Sequence, residues 1–538
     1  MGTKHGQLMR GMEAAGRSDQ TFKSFKTFKS FDGIFGARFG RLFPKSIAGQ
    51  FKHDALVKLA NHMVSPFDPP KDGPDDEESG IPALYTYFGQ FIDHDLTFDP
   101  ATSFQKHKDP NATEDFRTPS FDLDNVYGRG PGDQPYLYQD DGISFLLGDP
   151  ITQGSNDGAR DLARNVRGRA LIGDPRNDEN SIVSQLQGLF LRFHNRLVHD
   201  AVKKGQKPDF EHIQNHVRKT YQYLVINDFL PRIVKADVLN KYRAADGRFD
   251  HAKLKVFKGF EIPFMPVEFS VAAYRLGHSM VRPGYRLNDT VLVPIFPVPV
   301  DVNPGFPEGL TGFRRLISDW AIDWGRFIDI DVRDYGTADD ADKNPIASTP
   351  ANFRRLQFAY RIDTALVTPL RHLPPAVASN PASLALRNLE RGVEFGLPTG
   401  QEMAKLLHLP AKEILSDDKI LIGQGVKNPP KGSLKPITET DASFAGNCPL
   451  WTYILAEGIE HQALVEIPVK PAQKITTPQL GPVGGSIVAE VFLGLMFADK
   501  ESYLSTQHHD PHWTPNGEKE YRLKDFVKFA LEFKPPSP

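Results

Sequence analysis

The sequence predicts a mainly α fold with long loops and little β structure. Three observations carry this expectation: apolar residues fall at helical spacing in three long windows, strand signals are few, and residues 97–168 are rich in Gly, Pro and Asp. The strongest window is 182–202, where Ile182, Leu186, Leu189, Phe193 and Leu197 share one stripe. The second, 213–229, turns Val217, Tyr221, Leu224 and Val225 inward and is expected to stop at Pro231. The third runs from about 267 to 281 and ends before Pro283; its Ala272, Ala273 and Gly277 are small enough to let something large and flat approach the backbone. The clearest strand signal is the Pro-punctuated "TVLVPIFPVPV" at 290–300, and the acidic "PPKDGPDDEESGIP" at 69–82 reads as a loop. In "QTFKSFKTFKSF", 20–31, Phe recurs every third position, a period that drifts around an α-helix. The expected organisation is therefore an irregular N-terminal arm, 1–30, and one large domain, 31–538.

With 538 residues, 40% hydrophobic content and a formal net charge of −3, the chain has ample length for a large core. The near-neutral balance gives no case for nucleic acid as a main partner. No apolar run approaches the roughly 18 residues of a spanning helix, so no transmembrane segment is expected. The N-terminus lacks an apolar signal core, and Gly6 stands where a myristoylation signal wants Ser or Thr; a cytoplasmic or unconventionally exported protein is expected. Cys448 is the only cysteine, so the fold stands on its core and on any bound cofactor.

Chemistry concentrates in a few short segments. "GQFIDHDLTFDP", 89–100, sets an acid on each side of His94 just after an apolar run. If 85–97 is a helix, successive side chains diverge by roughly 100°, so Asp93, His94 and Asp95 each face a different partner. "RLGHSMV" places His278 on the third helical window, beside Gly277. Two lone histidines on separate core helices suit a planar metal cofactor held between them, and haem fits the small-residue face. In "IGDPRNDENS", 172–181, Asp178, Asn180 and Ser181 are all good helix caps, and Arg176 is a fixed cation; alone, the segment reads as a cap. "TPSFDLDNVYG", 118–128, alternates Thr118, Ser120, Asp122 and Asp124, hard oxygen donors in number that suit calcium. His194 on the strongest helix is expected to be structural, "QHHDPHWTP" at 507–515 a surface turn, and "GPVGG" at 481–485 a helix start.

Taken together and in order, these segments resemble the peroxidase–cyclooxygenase superfamily, the group that includes myeloperoxidase and lactoperoxidase, and its disulfide-free bacterial-type members in particular. The resemblance implies that 31–538 is an animal-type haem peroxidase domain. It implies His94 as distal acid–base residue, Gln90 in the peroxide and halide pocket, and Arg176 as catalytic arginine. It further implies His278 as iron ligand, Asn388 of "RNLERGVEFGLP" as acceptor of its ring N–H, and Arg275 and Arg391 near the haem propionates. Haem b is expected to be ester-linked through Asp93 and Glu179, with no third link because Asn180 stands where myeloperoxidase has a methionine. Calcium is expected on Asp95, Thr118, Ser120, Asp122 and Asp124. The implied activity uses hydrogen peroxide, through a ferryl porphyrin radical, to oxidise halides, thiocyanate or small phenolic donors. Two alternatives stand beside it. Fatty-acid dioxygenases of this fold carry a tyrosine three residues before the proximal histidine, where this chain has Arg275; Tyr274, four before, is expected to point elsewhere on an α-helix. The other is a calcium-stabilised haem-binding or adhesive protein without activity.

Overall fold

The computed structural model describes residues 37–43, 48–65, 73–97, 114–115, 119–151, 156–260, 263–297, 309–337, 352, 354–375, 377–378, 380–423, 434–507, 513–518 and 520–535. The Phe-Lys arm, Thr118 and three of the histidine-rich turn's residues, His508, His509 and His512, lie outside them. Among the described residues, eight α-helices have ten or more residues: α1 (His53–His62), α2 (Leu84–Leu96), α3 (Ser181–Lys203), α4 (Phe210–Leu224), α5 (Leu384–Glu394), α6 (Leu450–Glu460), α7 (Pro482–Ala498) and α8 (Leu523–Glu532). Strands are short, the longest pair being the antiparallel hairpin Gln462–Ile467 with Gln473–Pro478. Mainly α, with little β, is the architecture observed.

The apolar stripe at 182–202 forms α3, whose first turn is capped by Asn180: its Oδ1 accepts from the N–H groups of Ile182 and Val183. Of the three cap candidates, Asn180 does the capping. Helix α2 is buried on nearly every face. Phe91 of α2 stacks on Phe190 of α3, centroids 4.4 Å apart and planes within 6°, and Phe88 meets Tyr221 of α4 edge-on. Helix α8 closes over α3, with Phe526 stacked on Phe193. Helix α7 is buried from Pro482 through Met496, as a helix apolar all round must be. Its N-terminal donors are met by Glu457 of α6, which accepts from Val483 and Gly484. "GPVGG" is indeed a helix start, with Gly481 at its cap position.

The structure departs from the sequence reading in three places. The second window begins at Phe210, then passes through a π turn, Val225–Phe229, into Leu230–Ile233, so the chain stays helical past Pro231. The π turn shifts the hydrogen-bond frame, and Pro231 sits in the first turn after it, where a missing N–H costs little. The third window is not an α-helix: a π turn, Glu268–Ala272, meets a 3-10 stretch, Ala273–His278, across a break at Ala272 with φ −126° and ψ −71°. Within the expected acidic loop, Glu78–Pro82 is a buried strand paired with Phe358–Tyr360. Glu78 is held there by Arg282 and Arg355 at 2.5 and 2.8 Å, a buried carboxylate neutralised by two guanidinium groups. The strand expected at 290–300 is a short hairpin, Gly284–Arg286 with Leu292–Pro294.

His194 is structural, as expected. It is fully buried, accepts from the Tyr127 hydroxyl at Nδ1 (3.0 Å) and donates from Nε2 to the Ile143 carbonyl (2.9 Å). Burial lowers its pKa to about 4, so the neutral ring fits both partners. Cys448 is buried and forms no disulfide.

Candidate active site

Helix α2 and the π-to-3-10 stretch line one cavity of about 1320 Å³. Gln90, Asp93, His94, Arg176, Glu179, Arg275, His278, Asn388 and Arg391 all contribute to its walls. Residues spread over 302 positions of sequence, Gln90 to Arg391, therefore meet in one enclosure.

His94 is 4% exposed. Its Nδ1 lies 2.8 Å from Oδ1 of Asn177, and its Nε2 3.5 Å from Oε1 of Glu179. Gln90 Nε2 donates to that same Glu179 oxygen, and Gln90 Oε1 accepts from Asn180 Nδ2 at 3.2 Å. Arg176 is fixed by its own turn. Asp174 caps the 3-10 segment Pro175–Asp178, accepting from the Arg176 backbone N–H at 2.8 Å, and also grips the guanidinium through Nε (3.2 Å) and a terminal nitrogen (2.9 Å). The same nitrogen donates to the carbonyls of His94, at 3.1 Å, and Thr97. An arginine held at both its base and its tip presents a fixed positive charge to the cavity.

The 3-10 stretch presents His278 to the same cavity. His278 lines the cavity and is half-buried, and desolvation of the ring, with the nearby Arg275 charge, lowers its pKa to about 3. A neutral imidazole is the form that binds a metal. Nδ1 of His278 lies 2.8 Å from Nδ2 of Asn388 on α5. In this orientation the amide donates to the ring. Rotating the amide by 180° puts Oδ1 there instead, accepting from Nδ1–H and leaving Nε2 bare for a metal. A Cβ built on Gly277 meets nothing within 4 Å, so the wall beside His278 is open. Arg275 is steadied through Nε by the Ser270 carbonyl at 2.8 Å, and Arg391 lies over the Phe395 ring, 5.2 Å from its centroid.

The three neighbours of α2 diverge, as the helical step requires. Asp93 and His94 line the cavity; Asp95 does not. Asp95 is fully buried and converges with Asp122 and Asp124, their oxygens all within 4.8 Å of one another. Leu123, between the two loop aspartates, takes a left-handed φ of 57°. Three carboxylates so placed, two of them buried, suit a hard divalent cation, whose charge offsets their repulsion. Ser120 is half-buried nearby in sequence, with no contact to this cluster described.

Tyr274 departs from its expectation. It lines the cavity, and its hydroxyl donates to the Gly89 carbonyl at 3.2 Å. The expectation assumed one continuous α-helix; the break at Ala272 between the π turn and the 3-10 stretch re-aims the segment, so Tyr274 reaches the cavity wall even though Arg275, one 3-10 turn before His278, is the residue that shares its face.

Three residues escaped the sequence reading. Asp174 carried a usable signal, an Asp directly before a Pro at a helical start. Asn177 and Gln187 carried none, because their contacts form only in the fold.

Residues 110–299 match the family model for animal haem peroxidase. Thyroid peroxidase of Homo sapiens is 25% identical over 254 residues, which are 46% of this chain and 23% of that protein. The chain spans less than half the length of the curated relatives it matches. Among solved structures, peroxidase A from Dictyostelium discoideum superposes with a TM-score of 0.57 at 14% identity, covering 98% of this chain and 97% of its own. A fatty acid alpha-dioxygenase of Arabidopsis thaliana does so at 0.53 and 14%, covering 93% and 76%. At these identities the structural likeness establishes the fold alone. By family model and relatives, residues 110–299 resemble an animal haem peroxidase domain, and the fold is shared with the two solved structures named.

Proposed function

We propose that this chain is a haem-dependent peroxidase that uses hydrogen peroxide to oxidise small anions such as halides or thiocyanate, or small phenolic donors. The observation that carries the reading is the joint presence, on one cavity, of His94, a pinned Arg176 and a neutral His278. The residues fit haem b: His278 would hold the iron, Arg275 and Arg391 would meet the propionates, and Asp93 and Glu179 would form ester links to the macrocycle. When bound, the haem supplies the electrons that cleave the peroxide O–O bond. The chain's own residues handle protons and charge. His94 in its neutral form takes a proton at Nε2 from one peroxide oxygen and returns it to the other, a role typically worth about 10²- to 10⁴-fold. Arg176 stabilises the negative charge that develops on the departing oxygen. Gln90, held between Glu179 and Asn180, lines the space peroxide would occupy. Asp95, Asp122 and Asp124, with Thr118 and Ser120, would hold calcium behind α2.

The test is stopped-flow absorption of the haem-loaded protein mixed with peroxide, then with iodide or thiocyanate. A fast Soret change reversed by the anion is expected, and His94→Ala should slow the first phase by at least about 100-fold. An unchanged rate in that variant removes the acid–base assignment.

The position of Tyr274 on the cavity wall keeps a second reading, fatty-acid oxygenation through a tyrosyl radical. Wild type oxygenating a long-chain fatty acid, and Tyr274→Phe failing to, would replace the first reading.

A further inference from the structure

We propose that Asn177 is a positioning residue that holds His94 as its Nδ1-protonated tautomer, leaving Nε2 bare toward the cavity. The inference rests on the peroxidase reading for its consequence but on geometry for its content. Asn177 is 0% exposed, in the same capped turn that fixes Arg176. Its Oδ1 is 2.8 Å from His94 Nδ1, and its Nδ2 donates to Oε1 of Gln187 at 2.8 Å. Gln187 is also 0% exposed and comes from α3, the longest helix described. The chain His94, Asn177, Gln187 thus ties the ring on α2 to a rigid element.

Only one direction of this chain suits a proton carrier. With Asn177 Oδ1 toward the ring, Nδ1 donates, and the arrangement serves both the neutral ring and the imidazolium. When Nε2 takes its proton, the Nδ1–H bond to Oδ1 persists and strengthens with the charge. The reverse direction requires both amides to rotate together. Asn177 Nδ2 would then donate to Nδ1, Nε2 would carry the hydrogen, and no lone pair would face the cavity. A second proton could be accepted only at Nδ1, against an N–H donor. Gln187 Nε2 has no hydrogen-bond partner among the described residues, so the hold on the pair comes from the ring and from Oε1. Which ring nitrogen carries hydrogen is set by the bond the other makes, and here that bond belongs to Asn177.

The test uses the full-length chain carrying zinc protoporphyrin, which is diamagnetic, with ¹⁵N-labelled histidine and His94 assigned by difference from His94→Gln. The ¹⁵N shifts of Nδ1 and Nε2 report the tautomer directly. Wild type is expected to show Nδ1–H. Asn177→Asp, which keeps an acceptor oxygen in place, should retain it. Asn177→Leu, of similar size without an acceptor, should lose the preference. In haem-loaded protein the leucine variant should react with peroxide about 10- to 100-fold more slowly at unchanged haem content, while the aspartate variant recovers most of the rate. An Nε2–H ring in wild type, or an unchanged Nδ1–H fraction in Asn177→Leu, overturns the assignment. The wild-type tautomer is read without any substitution, so a leucine variant that fails to fold still leaves a decisive measurement. An Nδ1–H ring in a protein inert to peroxide supports the assignment and removes the peroxidase reading alone.

Discussion

Glu179 joins two side chains of the site: one of its oxygens accepts from Gln90 and lies 3.5 Å from Nε2 of His94. An ester to the haem would use this same carboxylate, so haem linkage and the surroundings of Nε2 meet in one side chain. This argues for a specific outcome. After turnover with peroxide, acidified organic extraction should leave haem on the wild-type protein. Asp93→Asn with Glu179→Gln should release it entirely, and each single variant should keep one link. Complete extraction from the turned-over wild type would remove both esters. The same scale shows what the sequence could carry. His94, Arg176 and His278 were legible because each sits in a short motif of distinctive composition. Asn177, which lies 83 positions from its ring partner, was not.

Between elements, the distal end depends on how α2 lies against α3. The stacked Phe91 and Phe190 rings are the closest tie between the two helices, each ring 0% exposed. Removing one ring leaves a cavity that rigid helices fill poorly. Phe91→Ala is therefore expected to cost about 3–5 kcal/mol, read as a lower denaturation midpoint with unchanged haem stoichiometry at low temperature. A shift below about 1 kcal/mol would mean that the other aromatic contacts of α2 hold it alone. The strong stripe of α3 was legible because its period matches the helix it forms. The proximal segment was not, because the π and 3-10 turns at 268–278 break the period that a sequence pattern assumes. Glu78–Pro82 was misread for a related reason. An acidic run signals solvent unless distant partners neutralise it, and Arg282 and Arg355 stand 204 and 277 positions away.

Over the whole molecule, stability is tied to the ionisation of buried groups. His194 is neutral in the fold, with a pKa lowered to about 4 from an ordinary 6.5. A depressed pKa contributes stability that is fully present above about pH 6.5 and is drawn down as pH falls toward 4. The contribution is about 3 kcal/mol at its fullest, and the slope of stability with pH over that window should be shallower in His194→Gln than in wild type. Identical slopes would place the acid loss elsewhere. Asp95, Asp122 and Asp124 converge within 4.8 Å, and a bound divalent cation converts their repulsion into a tie between α2 and the loop before α3. A ligand that binds only the folded state stabilises it by about 2.7 kcal/mol at 100 times its dissociation constant. Chelation should therefore lower the melting temperature. It should also slow the reaction with peroxide, because Asp95 is the immediate neighbour of His94 and a loosened α2 terminus misplaces the ring. Calcium should restore both, and magnesium should not, since it demands a tighter octahedral shell and dehydrates reluctantly. Asp95→Asn should show the chelated behaviour with calcium present. If chelator leaves melting and peroxide rate alike unchanged, no cation is held there.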